Sequence, residues 1–141
     1  MVKILMYGCC GHMGQVISDL AAADPDVEIT AGVDIADKGN TDYPVYTDIH
    51  ACQEDVDVVI DFSSAKAVDG LLDYCGEKRI PVVLCTTGLS EEQLARVEET
   101  AKKTAVLKSA NMSLGINTLL KLVQDAAKVL AAAGFDMEVV G

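Results

Sequence analysis

Apart from Lys3, the run Val2–Tyr7 (VKILMY) is apolar at successive positions rather than alternate ones, and it stops at Gly8. A strand covered on both faces reads this way. Helical spacing begins at His12, so the chain turns from strand to helix within Gly8-Cys9-Cys10-Gly11. With Met13 and Gly14 the segment reads GCCGHMG, glycines at 8, 11 and 14. Glycine at such a turn permits positive φ and close approach of another group to the backbone. Amides at the helix start supply donors and the positive end of a dipole, a suitable seat for phosphate. The GxxGxxG spacing is a variant of the GxGxxG turn that opens dinucleotide-binding βαβ units. A tight turn of small residues fits the same spacing, so the context decides.

Asp34 ends the second apolar run, twenty residues after Gly14. An acid there is placed to accept hydrogen bonds from the hydroxyls of an adenosine ribose. It would repel a 2′-phosphate, and no arginine follows it. Lys38 lies four residues on, where it can bend back or remain solvated.

The rest of the chain repeats the strand–helix alternation. We expect strands over Val2–Tyr7, Val27–Asp34, Val56–Phe62, Pro81–Cys85 and Ala105–Lys108. Helices are expected over His12–Ala23, Ala65–Lys78 and from Ser90 to about Lys103, with a short one around Asp48–Gln53. Ser90-Glu91-Glu92-Gln93 fits a capping box. Ser113 can cap a long helix to about Ala133, ahead of a last strand at Asp136–Val140. This pattern implies an α/β fold: a doubly wound parallel sheet of Rossmann type in a single coenzyme-binding domain over 1–141. Each strand ends in glycine or small polar residues: Gly8, Asp34, Ser63-Ser64, Thr86-Thr87-Gly88 and Ser109-Ala110-Asn111. In open α/β sheets, ligands sit outside the carboxyl ends of the strands. Any one of these ends can be an ordinary turn or cap. Five on one edge point to a site.

Composition narrows the partners. Twenty-two acids against eleven bases give a net charge of −11, and residues 1–61 hold twelve acids with only Lys3 and Lys38 as bases. That excess disfavours nucleic acid and anionic membranes. Apolar runs stop well short of the roughly 18–20 residues of a membrane span. With no signal-peptide layout at the N-terminus, the expected location is the cytoplasm. Five cysteines, an odd number without a CxxC pair, suggest reduced thiols. Cys9, Cys10 and His12 lack zinc-type spacing and a fourth ligand, so no metal is expected. His50 has no catalytic partner nearby in sequence. No acid–base pair or nucleophile triad can be assembled on the predicted ligand edge, and no catalytic residue is assigned.

Four motifs, GCCGHMG at 8–14, VIDFSSAKA at 59–67, TTGLSEEQ at 86–93 and SANMSLGIN at 109–117, carry a family resemblance. The chain resembles the N-terminal, nucleotide-binding part of bacterial dihydrodipicolinate reductases (4-hydroxy-tetrahydrodipicolinate reductases), enzymes of the diaminopimelate route to lysine. The last two motifs are the more specific. Rival readings are another dehydrogenase with the same coenzyme domain and a non-catalytic nucleotide- or coenzyme A-binding module.

The resemblance implies roles residue by residue. Gly8, Gly11, Met13 and Gly14 would form the pyrophosphate loop, with Cys9, Cys10 and His12 lending backbone. Asp34 would hold the adenosine ribose. Phe62 and Ser63 would flank the coenzyme. Cys85, Thr86 and Thr87 would lie near the nicotinamide end, and Ser109, Ala110, Asn111 and Met112 would line it towards an interdomain cleft. Cys85 stands where the family usually has glycine. His12 stands where a basic residue often helps hold a 2′-phosphate, and Ile35 replaces an arginine.

The resemblance also implies NADH or NADPH as coenzyme, with NADH expected to serve at least as well. The implied substrate is a small heterocyclic dicarboxylate, and the full-length parent is expected to be a homo-oligomer. In the family, a strand like Asp136–Val140 leads into a paired-histidine and lysine segment and a DAPSGT-like loop that carry the chemistry. Here the sequence stops at Gly141, so the expectation is an excised or truncated coenzyme domain, inactive by itself.

Overall fold

The computed structural model describes residues 1–108. The helix and strand expected after Ser113, and Ser109, Ala110, Asn111 and Met112, lie outside the described residues. Six parallel strands form one sheet: β1 (Val2–Tyr7), β2 (Val27–Val33), β3 (Val45–Tyr46), β4 (Val58–Asp61), β5 (Val82–Leu84) and β6 (Val106–Lys108). Their order is β3-β2-β1-β4-β5-β6. This is the doubly wound order of two mononucleotide-binding halves, with the reversal between β1 and β4. Helices α1 (His12–Ala22), α2 (Val68–Lys78) and α3 (Glu91–Ala101) connect the strands.

The even apolarity of β1 is explained by the two cores. Ile4 and Met6 join a cluster with Ile17 and Ala21 of α1 and with Val58, Ile60 and Val83. Leu5 and Tyr7 point the other way, into a cluster with Val59, Leu71, Leu72, Tyr74, Leu84 and Val97. Burying one such aliphatic side chain contributes about 1.5–3 kcal/mol. A polar residue in mid-strand would therefore weaken either face.

The ends of elements follow local chemistry. Ser90 Oγ accepts from the Gln93 amide at 3.2 Å and Gln93 Oε1 accepts from the Ser90 amide at 3.0 Å, the expected capping box. The segment expected as one helix from Ala65 begins as a 3-10 turn over Ala65–Ala67 and becomes α-helical at Val68. The short helix near Asp48 is a 3-10 turn over Ile49–Ala51 whose amide at His50 donates to Asp48. β3 was not anticipated. It is only two residues long, and the Gly32 amide anchors it by donating to the Pro44 carbonyl at 2.9 Å. No helix among the described residues is long and apolar enough to cross a membrane.

Candidate coenzyme site

The loop after β1 is shaped by backbone. Gly8 has φ +87°, and a Cβ there would lie 2.5 Å from the Phe62 carbonyl oxygen. The ends of β1 and β4 therefore touch at the point where the strand order reverses. The amides of Gly8 and Cys9 both donate to the Val33 carbonyl, at 2.7 and 3.3 Å, tying the loop to the end of β2. At Gly14 a Cβ would meet the Cys9 and Gly8 carbonyl oxygens at 2.5 and 2.6 Å, so this glycine lets α1 pack on the loop.

Gly11 differs. Its φ is −78°, and the positive φ of this loop lies at Gly8. A Cβ on Gly11 would meet only the Gly8 carbonyl oxygen, at an ordinary 3.5 Å. Gly11 and His12 are exposed and Met13 is half-buried. Gly11 is the N-cap of α1, and the helix start thus carries no capping side chain and no acid within its own first turn. These are the features a pyrophosphate needs, and the loop fits that group.

Asp34 lies half-buried directly after β2. Its Oδ2 accepts from the Cys10 amide at 2.8 Å and its Oδ1 accepts from the Ile35 amide at 2.7 Å. Both carboxylate oxygens keep acceptor capacity for further donors. Ile35 is 89% exposed beside it, and Lys38 is exposed too.

Cys9 Sγ, Cys10 Sγ and an Asp34 oxygen all lie within 4.8 Å of one another. Burial, with the hydrogen bond to Cys10, pushes the Cys9 thiol up to about 12. At neutral pH it is a thiol rather than the thiolate that binds metals. Gly32 makes room for it: a Cβ there would meet Cys9 Sγ at 2.6 Å.

The other strand ends meet at a residue absent from the expected site. Asp61, the last residue of β4, is fully buried. Its Oδ1 accepts from the Ser63 amide at 3.0 Å and the Ser63 hydroxyl at 2.6 Å. Its Oδ2 accepts from the Thr86 amide at 3.3 Å and the Thr86 hydroxyl at 2.6 Å. Burial raises its pKa above the ordinary carboxylate value while those four hydrogen bonds pull it down. The available signal was an acid interrupting the apolar run VVIDF. Gln15 was also missed; its Nε2 donates to the Cys9 carbonyl at 3.1 Å and braces the loop.

Phe62 and Ser63 are half-buried beside Gly8, Thr86 is buried, and Thr87 is exposed beyond it. Cys85 is buried, its amide donates to the Asp61 carbonyl at 3.1 Å, and burial pushes its thiol up to about 12. The structure therefore brings Gly8–Gly14, Asp34, Phe62-Ser63 and Cys85-Thr86-Thr87 to the carboxyl edge of one sheet. His50 sits elsewhere, with Asp48 and the Tyr74 ring.

Residues 2–112 match the family described as dihydrodipicolinate reductase, N-terminus. The 4-hydroxy-tetrahydrodipicolinate reductase of Caldanaerobacter subterraneus subsp. tengcongensis is 49% identical, over 99% of this chain and 55% of its own length. That of Clostridium tetani is 45% identical, over 99% of this chain and 54% of its own. A solved dipicolinate-bound dihydrodipicolinate reductase from Paenisporosarcina sp. TG-14 shares the fold, with a TM-score of 0.70 at 22% identity over 90% of this chain and 54% of that one. The chain spans about half the length of the curated relatives it matches. It belongs to the dihydrodipicolinate reductase family, matching that family's N-terminal part.

Proposed function

We propose that this chain is the coenzyme-binding half of an NAD(P)H-dependent reductase that converts 4-hydroxy-tetrahydrodipicolinate to tetrahydrodipicolinate. The observation that carries the reading is the uncapped start of α1 at the reversal of strand order, with Asp34 beside it. The relatives' printed activity supports the substrate class. The Paenisporosarcina reductase, solved with dipicolinate bound, fits a planar heterocyclic dicarboxylate.

In this reading the Gly8–Gly14 backbone holds the pyrophosphate. Asp34 accepts from the adenosine ribose hydroxyls. Phe62 and Ser63 flank the coenzyme. Cys85, Thr86 and Thr87, with Ser109, Ala110, Asn111 and Met112 assigned from sequence alone, lie at the nicotinamide end. The bound coenzyme supplies hydride; the protein's part here is to hold and orient it. Substrate binding and proton donation are assigned to the half of the relatives that this chain does not span.

Calorimetric titration of the chain with NADH, NADPH and ADP-ribose tests the assignment. Saturable binding of all three, with no turnover of 4-hydroxy-tetrahydrodipicolinate by these 141 residues alone, is expected. Failure to bind ADP-ribose would overturn it.

A further inference from the structure

Resting on the coenzyme reading, we propose that Asp61 is a positioning residue that makes the hydroxyls of Ser63 and Thr86 a hydrogen-bond-accepting pair, selecting an N–H donor such as the coenzyme's carboxamide.

The argument is a count of protons. Asp61 is fully buried, and four donors converge on its carboxylate. Two are backbone N–H groups, which cannot reverse. The other two are hydroxyls, each with a single proton. Ser63 Oγ lies 2.6 Å from Asp61 Oδ1 but 3.5 Å from the Ser64 carbonyl, so the charge-assisted contact takes its proton. Thr86 Oγ1 lies 2.6 Å from Asp61 Oδ2, and its proton is taken likewise.

The two hydroxyl oxygens are 3.3 Å apart. At a pH where Asp61 is ionised, neither has a proton left to donate to the other or to a ligand. What they offer is lone pairs, at the carboxyl ends of β4 and β5 on the site edge. Ser63, half-buried, is the more exposed residue of the two. A ligand group that accepts only, such as a ketone or carboxylate, would face oxygen against oxygen. A primary amide places an N–H there instead.

Changing Asp61 to asparagine changes this polarity. Whichever side the new amide nitrogen faces, it donates to one hydroxyl, whose own proton is then free for the other hydroxyl, 3.3 Å away, or for a ligand. One acceptor becomes a donor while shape is kept.

The test compares NADH with the reduced 3-acetylpyridine analogue, in which a methyl ketone replaces the carboxamide, by calorimetry on the 141-residue chain. The unaltered chain is expected to bind NADH about five- to tenfold more tightly, the effect of one hydrogen bond. In Asp61→Asn the ratio should fall to near one. Ser63→Ala, which leaves Asp61 three donors, should lower the ratio to about twofold, and Ser63→Thr should restore it.

Equal affinities in the unaltered chain would overturn the inference. So would variants that weaken both coenzymes by the same factor, which marks a purely structural role. Because ADP-ribose lacks the carboxamide, its binding separates the two readings. Binding without discrimination between the analogues sinks only the role of Asp61. No binding of ADP-ribose sinks the coenzyme site and this inference together.

Discussion

The Cys10 amide donates to Asp34 Oδ2 at 2.8 Å, so the turn after β1 and the residue after β2 are locked together by one hydrogen bond. The carboxylate that would read the ribose is thereby held before any ligand arrives. Its other oxygen is oriented by the Ile35 amide at 2.7 Å.

This arrangement predicts coenzyme preference. A 2′-phosphate beside Asp34 would meet like charge. At about 4 Å, two unit charges interact by roughly 1 kcal/mol in water and about 4 at an effective dielectric of 20. NADH is therefore expected to bind at least as tightly as NADPH, with NADPH about tenfold weaker or more if nothing compensates. Ile35 is 89% exposed, so arginine fits there without repacking. Ile35→Arg should raise the NADPH-to-NADH affinity ratio about tenfold. A marked NADPH preference in the unaltered chain would show that Lys38 or another cation dominates the pocket.

The loop glycines should separate into two classes. Gly11 has an ordinary φ and open space around its missing Cβ. Gly11→Val should leave the thermal midpoint within a few degrees while coenzyme binding falls at least about tenfold, because the methyls occupy the approach to the helix start. Gly14→Ala forces a Cβ into backbone oxygens at 2.5 and 2.6 Å. That change should lower stability by about 1–3 kcal/mol. Unchanged NADH affinity in a folded Gly11→Val chain would refute the phosphate-loop assignment.

Much of this was legible in the sequence for a physical reason. Strands covered on both faces must be apolar throughout, so Val2–Tyr7 and the run ending at Asp61 announce themselves, and the glycines mark the turn between strand and helix. Ser90 and Gln93 are a local code, and their cap formed as read. Tertiary relationships were not legible. Nothing local says that Gly8 abuts the Phe62 carbonyl, or that Gly32 leaves space for Cys9. Asp61 could be seen as an acid in an apolar strand, but Thr86, its partner 25 residues on, is found only when β4 and β5 pair. Spacing alone also does not say which glycine of the loop bends; it is Gly8, at φ +87°.

The thiols give a separate prediction. Cys9, Cys10, Cys52, Cys75 and Cys85 are all buried and unpaired. Burial pushes Cys9 and Cys85 up to about 12 and raises Cys75 further. Since the thiolate is the reactive form, Cys9, Cys75 and Cys85 should resist modification at pH 7 in the native chain. All five should react promptly in denaturant. Mass spectrometry after brief iodoacetamide treatment reads this site by site. Rapid native labelling of Cys9 or Cys85 would show that the loop opens readily.

Asp61 carries the last prediction, on stability against pH. Burial raises its pKa above the reference value of 3.8, outweighing the hydrogen bonds from Ser63 and Thr86 that lower it. The folded chain then holds this proton up to a higher pH than the unfolded chain does. Between the two values the native state binds more protons, so stability falls as pH rises through that window. The contribution is fully present only below the unfolded value. Asp61→Asn has no such proton to lose, and its rearranged hydrogen bonds add a cost of about 1–3 kcal/mol that does not vary with pH. Other carboxylates titrate alike in both proteins and cancel in the difference. Thermal midpoints measured from about pH 4 to pH 7 should therefore shift in favour of the variant, relative to the parent, as pH rises. A shift in favour of the parent would mean that the four donors stabilise the carboxylate by more than its burial costs.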